Sequence, residues 1–243
     1  TYRFTDDISA GLTYGRGYRS GGIKVAAPAQ KTKPFDAEFT NNYELFFRSQ
    51  FMEKRLTINA NVYYTDWFDK QVPVKVPGGT SLDTLVENAG EMELMGFELE
   101  TTFKPMAGLT CFANLGYAHT EFKKFVANGV DYAGKSMPNA PEWTFSIGAN
   151  YNHSSGFFAG GSYRWTDKTY SVLTNPEGSR ISARSIVDAK AGYRADHWSV
   201  YLWGTNLLDD DYMLRSYGKS ESGPWVAVMD NPRIVGIGAE IYW

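Results

Sequence analysis

Apolar and polar residues alternate along most of this chain with a period of two. In one stretch Leu56, Ile58, Ala60, Val62 and Tyr64 fall on one side and Thr57, Asn59, Asn61, Tyr63 and Thr65 on the other. Leu109, Cys111, Ala113, Leu115 and Tyr117 oppose Thr110, Phe112, Asn114 and Thr120. Trp143, Phe145, Ile147, Ala149 and Tyr151 oppose Thr144, Ser146, Gly148 and Asn150, and Val187, Ala189, Ala191 and Tyr193 oppose Asp188, Lys190, Gly192 and Arg194. Period two is the signature of a strand with unlike faces and fits helices poorly. The pattern predicts ten strands, at about 7–18, 39–51, 54–72, 91–104, 108–124, 141–153, 156–170, 184–195, 197–207 and 232–243. Most are longer than the five or six residues usual in globular sheets, and long enough to cross a bilayer at a tilt, which takes about 9–11 residues.

The connections alternate as strictly as the residues do. Tight turns are expected at 52–55, 105–108, 153–156 and 195–197, and long segments at 19–38, 70–90, 125–140, 171–183 and 208–231. Outer-membrane β-barrels have short periplasmic turns and long extracellular loops. A soluble β-sandwich has no reason to gather its long loops at one end, so a transmembrane antiparallel β-barrel is the favoured fold class. Tyr14, Tyr43, Tyr64, Tyr117, Tyr151 and Tyr193 end apolar rows, as an interfacial aromatic girdle would.

Composition agrees with this picture. Aromatic residues make up 16% of the 243 residues, and there are 16 Tyr and 24 Gly. The mean hydropathy of −0.37 resembles that of a soluble protein, but a barrel whose strands alternate apolar-out and polar-in reads the same way. No run of about 18 apolar residues is present, so a transmembrane helix is not expected. The net charge of −3 and the lack of a Lys/Arg cluster argue against nucleic acid as a partner. The single Cys111 excludes an intramolecular disulfide.

The final strand carries its own pattern. Val235, Ile237, Ala239, Ile241 and Trp243 form one face, and Gly236, Gly238, Glu240 and Tyr242 the other. A closing strand of this kind ending on an aromatic resembles the signal read by the outer-membrane barrel assembly machinery. A long apolar edge strand is an aggregation hazard unless paired. The expectation is therefore that the chain ends natively at Trp243, pairs there with a strand of the same barrel, and lacks residues before Thr1.

Four segments extend the reading to a family. GLTYGRGYRSGG (11–22), ENAGEMELMGFELE (87–100), WGTNLLDDDY (203–212) and NPRIVGIGAEIYW (231–243) resemble, in order, segments of the TonB-dependent receptors. The resemblance covers essentially the whole chain. It implies that these are the last ten strands of a 22-stranded barrel whose N-terminal plug domain, with its TonB-contacting site, is absent here. It further implies an outer-membrane location and energised uptake of a ferric siderophore or a similar scarce nutrient. Cobalamin, haem and glycans are other cargoes of the family.

The candidate chemistry is that of binding. Glu44, Arg48, Glu98, Glu100, Lys104, Arg164, Lys168, Asp188, Lys190 and Arg194 are expected to face inward, where mixed signs suit a plug or water rather than one charged substrate. Arg164, Trp165, Lys168 and Tyr170 near one strand end, with Arg215, Tyr217 and Trp225 in the last loop, are candidates to donate to or stack on an anionic aromatic ligand. No cofactor or metal site is expected, and Asp209–Asp211 suits a solvated turn better than a calcium site. Only His119, His153 and His197 are available for catalysis, and no nucleophile or zinc motif accompanies them. The rivals are a self-contained ten-stranded outer-membrane barrel, either a porin or a protease, and a secreted β-sandwich.

Overall fold

The structure, a computed structural model, describes residues 1–26, 31–77, 83–173, 177–217 and 226–243. One antiparallel sheet holds eleven strands in sequential order. They are β1 (Tyr2–Arg3), β2 (Ile8–Arg19), β3 (Glu38–Phe51), β4 (Leu56–Lys75), β5 (Thr84–Met106), β6 (Leu109–Lys124), β7 (Trp143–Asn152), β8 (Phe157–Thr166), β9 (Arg184–Arg194), β10 (Trp198–Thr205) and β11 (Ile234–Ile241). All ten expected strands are present, and β1 adds a two-residue partner to β2. Among the described residues β1 and β11 are each paired on one side only, so the sheet is an open run of consecutive neighbours.

The turns lie where the sequence places them, and the positive φ values of Met52, Glu53, Lys54, Gly108 and Gly156 mark three of them. The long connections differ from expectation. Residues 70–90 are largely a hairpin rather than a loop, since pairing of β4 with β5 continues to Lys75↔Thr84. Two-stranded hairpins also occupy other loops: Gly22–Ala26 with Lys31–Phe35, Val126–Ala127 with Val130–Asp131, Thr169–Tyr170 with Arg180–Ile181, and Met213–Tyr217 with Val226–Met229. Asn128 and Gly129 both have positive φ, as a two-residue primed hairpin turn requires.

Register fixes the two faces of the sheet, because residues directly opposite one another share a face. One row runs Phe47, Ala60, Leu99, Leu115, Phe145, Trp165 and Ser185. A second row of this face, four residues further along β7, runs Cys111, Ala149, Gly161, Ala189, Gly204 and Val235. This face is apolar and open, with Leu12 80%, Val235 69% and Ile237 75% exposed. Two aromatic clusters bound it. Tyr14, Tyr43 and Tyr64 touch in series towards the loop end, continued by Phe97, Tyr117 and Trp143. Phe157, Tyr193 and Trp198 group at the turn end. On β7 Trp143 and Tyr151 are eight steps apart, about 26 Å along the strand at ~3.3 Å each, or roughly 20 Å of height at the ~40° tilt of outer-membrane strands, most of their ~25 Å apolar band. The Tyr residues therefore mark two rims rather than one.

The opposite face is polar and carries its own bonds. Arg48 donates to Asn61 Oδ1 at 2.5 Å, and Asn61 donates to Glu44 Oε1 at 2.7 Å. Arg164 pairs with Asp188 at 2.6 Å, and the Lys190 ammonium sits 3.5 Å from the centre of the Tyr201 ring. Several glycines make room here for aromatic rings on the adjacent strand. A Cβ at Gly96 would collide with the Tyr117 carbonyl oxygen and lie 2.6 Å from the Tyr63 hydroxyl, which itself donates to that carbonyl.

Candidate ligand site at the loop end

Above the Tyr64 rim the two long strands change character. Asp69, with φ +52°, interrupts the pairing between Phe68↔Glu91 and Lys70↔Ala89. Alternation changes parity there. Trp67 before the break and Val72 and Val74 after it reach the same buried cluster, with Ala89, Met92, Phe122, Phe125, Ala127 and Tyr132. Trp67, Met92 and Phe122 lie in the row of the polar face, so this cluster caps the inner side of the sheet.

The other side of the extension is tied by polar groups. Gln71 N–H donates to Glu38 Oε2 at 2.6 Å, and its side-chain amide donates to the carbonyls of Ser20 and Asp36 at 2.9 and 3.1 Å. Asn88 accepts from Asp36 N–H at 2.8 Å and donates to the carbonyls of Asp36 and Asp69 at 2.9 and 2.7 Å. Lys33 of the first loop hairpin pairs with Glu87 at 2.7 Å. The β4–β5 tip is thus clamped between the 22–35 hairpin and the 125–139 segment.

A cavity of about 660 Å³ opens between the tip and the loops. Val72, Val74, Phe122, Met137 and Leu173 supply apolar walls, and Lys70, Tyr132, Asn139 and Ser171 supply polar groups. The Lys70 ammonium stands 3.2 Å from the Trp67 ring centre. Burial is the main cause that pushes its pKa down to about 8, with the Glu38 carboxylate opposing and the Arg19 cation adding to the shift. Burial, and secondarily the Glu87 charge, pushes the Tyr132 phenol up, so it stays a neutral donor. A larger depression of about 820 Å³ is lined by Ala149, Ala159, Ala189, Leu202, Val235 and Ile237. It belongs to the apolar outer face and holds no convergent polar groups.

The sequence-based ligand candidates are only partly brought together. Arg164 is on the polar face, held by Asp188. Trp165 is on the apolar face opposite Phe145, beside the rim. Tyr170 belongs to a loop hairpin, and its carbonyl accepts from Asn139 N–H at 2.8 Å, which places it next to the cavity. Lys168 lies beyond the end of β8, its N–H bonded to Asp167. Arg215 and Tyr217 are in the last loop hairpin, in register with Val228 and Val226. Trp225 lies outside the described residues. Sequence alone does not single out Lys70, Phe122 or Tyr132; for Phe122 and Tyr132 the available signal is the Asn128–Gly129 turn with Val126, Ala127 and Val130 beside it, and for Lys70 there is none.

The motif residues turn out to be joints. Asn206, with φ +48°, donates through its side chain to the Asp210 and Asn231 carbonyls and accepts from Asp210 N–H. Asp209 takes both Arg233 N–H at 3.0 Å and the Arg233 guanidinium at 3.2 Å, and Asp210 takes Ser185 N–H at 2.8 Å. These bonds fasten the loop ends of β9, β10 and β11. His119 stands between Glu142 at 2.9 Å and Glu121 at 3.7 Å, but in the outward row with Tyr64 and Met95. That row is on the apolar face of the sheet rather than the polar one.

A family model described as TonB dependent receptor-like, β-barrel, matches residues 1–207. The catecholate siderophore receptor Fiu of Escherichia coli strain K12 is 24% identical over 185 residues, covering 74% of this chain and 23% of Fiu. The solved ferric yersiniabactin uptake receptor FyuA from Yersinia pestis superposes with a TM-score of 0.82 at 24% identity, over 99% of this chain and 36% of FyuA. The siderophore receptor PiuA from Acinetobacter baumannii gives 0.76 at 19% identity, over 98% of this chain and 34% of PiuA. The chain thus spans about a quarter of its curated relative and about a third of the solved structures. At these identities the structural likeness establishes the fold.

Proposed function

The chain belongs to the TonB-dependent receptor-like β-barrel family, and from that premise we propose that it forms the loop-bearing wall of an outer-membrane receptor for a ferric siderophore. Members of this family are outer-membrane receptors and transporters of Gram-negative bacteria, not enzymes. The observation that carries the reading is the family match across 1–207, on a sheet with one apolar and one polar face. The catecholate named for Fiu supports a siderophore as cargo.

In this reading the free edges at β1 and β11 pair with further strands of one barrel, the outer face of β11 including Trp243 meets the bilayer, and the assembly machinery inserts the whole. The polar face receives a plug through Arg48, Glu44, Lys190 and their neighbours, and TonB draws on that plug. Arg164, Lys168, Tyr170, Arg215 and Tyr217 are the proposed ligand-facing residues of the mouth, with Trp165 assigned to the rim. The chain is then the C-terminal part of the barrel.

The test is uptake of radioactive iron by a strain lacking its own siderophore receptors and expressing the full-length protein that contains this segment. Expected is accumulation from at least one ferric siderophore, abolished by deleting TonB. Protein present in the outer membrane with no TonB-dependent accumulation from catecholate, phenolate or hydroxamate chelates would overturn the assignment.

A further inference from the structure

We propose that the cavity between the β4–β5 tip and the 125–139 and 171–173 segments is a binding site for a compact aromatic monoanion, anchored by Lys70. The argument begins with donors. Lys70 makes no hydrogen bond or ion pair with any described residue, and the buried Trp67 Nε1 beside it also has no partner. The Tyr132 hydroxyl, on the same cavity, has no hydrogen-bond partner among the described residues. A buried donor left unpaired, as Trp67 Nε1 is, costs free energy, and the Lys70 and Tyr132 side chains line the cavity, where a ligand can reach them. A carboxylate or phenolate would accept from the ammonium with a charge-assisted bond and leave an oxygen for a second donor.

The remaining surface defines the body of the ligand. Val72, Val74, Phe122, Met137 and Leu173 present apolar and polarisable walls suited to a flat ring. The volume, about 660 Å³, lies in the range of small-molecule sites, ~300–1,000 Å³. Charge selects the sign and number. Arg19 and Glu38 are already paired at 3.5 Å, and Glu38 also accepts from Gln71 N–H, which leaves Lys70 as the one cation among the described residues that line the cavity. A dianion would meet the Glu38 carboxylate without a second partner. The clamp around Gln71 and Asn88 fixes the tip before any ligand arrives, so the site is preformed.

The probe is 2-naphthoate, with 2-naphthamide as its neutral counterpart of nearly equal shape. Binding is measured by equilibrium dialysis against the full-length protein in lipid nanodiscs, with empty nanodiscs as the blank. Expected is saturable naphthoate binding at least tenfold tighter than the amide. Lys70→Gln should abolish that preference and Lys70→Arg should retain most of it. Leu173→Trp, which fills the cavity from a loop, should weaken both ligands. Heat-modifiable gel mobility establishes that each variant is a folded barrel. Equal binding of naphthoate and amide, or an unchanged preference in a folded Lys70→Gln variant, would overturn the proposal. Neither result bears on iron uptake, which is read separately.

Discussion

Two halves of β4 can be set side by side. From Leu56 to Tyr64 every second residue faces the apolar side, and nothing but alternation is needed to place them. From Trp67 to Lys75 the same strand continues in the same ladder, yet Trp67 and Val72, of opposite parity, meet at one buried cluster. The difference lies in the solvent. In the proposed barrel the surroundings between the two aromatic rims are hydrocarbon on one side and polar on the other, so side-chain chemistry alone sets the register. Beyond the rim there is water on both sides, and the strands stand only if loops build them a core. Asp69 supplies the change of face, and Phe122 and its neighbours supply the core.

The largest expected effect separates the two halves by removing that core. Phe122 is 1% exposed at the centre of the cluster. Phe122→Ala should cost about 3–5 kcal/mol of local stability. Hydrogen exchange should then rise in the Val126–Asp131 hairpin and the β4–β5 tip, while β7 and β8 keep their protection. Loss of protection across β7 as well would show that tip and wall are one cooperative unit, against the comparison.

Next comes the wall. Ile147 lies midway between Trp143 and Tyr151 on the outer face, and Ser146 beside it lies on the inner. Ile147→Arg should destabilise the barrel by about 2–4 kcal/mol, the cost of a cation near the bilayer midplane. Ser146→Glu should be nearly neutral, since its carboxylate lies opposite Arg164 and can accept from Asn114 on the polar side. Folded fraction in lipid, read by gel mobility after a denaturant series, decides. Equal effects would mean that the faces have been assigned wrongly.

A smaller effect tests the clamp. Asn88→Ala removes one acceptor and two donated bonds that hold Asp36 and Asp69. About 1–3 kcal/mol should be lost from the tip, with faster proteolysis there and an unaltered wall. Unchanged proteolysis would assign the clamp to Gln71 alone.

This division also explains what could be read from residues alone. The ten strands, the turns and the faces followed from period two, because in the wall one rule decides every position. The motifs were visible too, although their role was not. Asn206, Asp209 and Arg233 look like polar loop residues until the fold brings 206, 209 and 233 together at one joint. The tip was misjudged as loop because Pro73, Lys75 and Pro77 weaken the strand pattern, and pairing with 84–90 and burial by distant loops override that weakness. The ligand candidates rest on residue type at one strand end and in the last loop. The cavity instead combines residues from three separated segments, and no local pattern marks such a set.

The finest distinction concerns a single proton. Lys70 is pushed down to about 8 chiefly by burial, where lysine ordinarily stands at 10.5. Its charge is complete well below pH 8 and is lost as pH rises through that value, two units or more before an ordinary lysine loses its own. At pH 8 about half of Lys70 is the neutral amine, against well under one per cent of an ordinary lysine. A small reagent such as acetic anhydride, which does not itself ionise, should therefore acetylate Lys70 about ten- to hundredfold faster than ordinary lysines, less whatever burial takes from access. Peptide mass spectrometry of the full-length protein in nanodiscs measures this, with exposed Lys24 as internal standard. The labelling rate of Lys70 should level off above pH 9 while that of Lys24 is still climbing. Parallel pH profiles would mean that water solvates the ammonium fully, and that the tip is no drier than the loops around it.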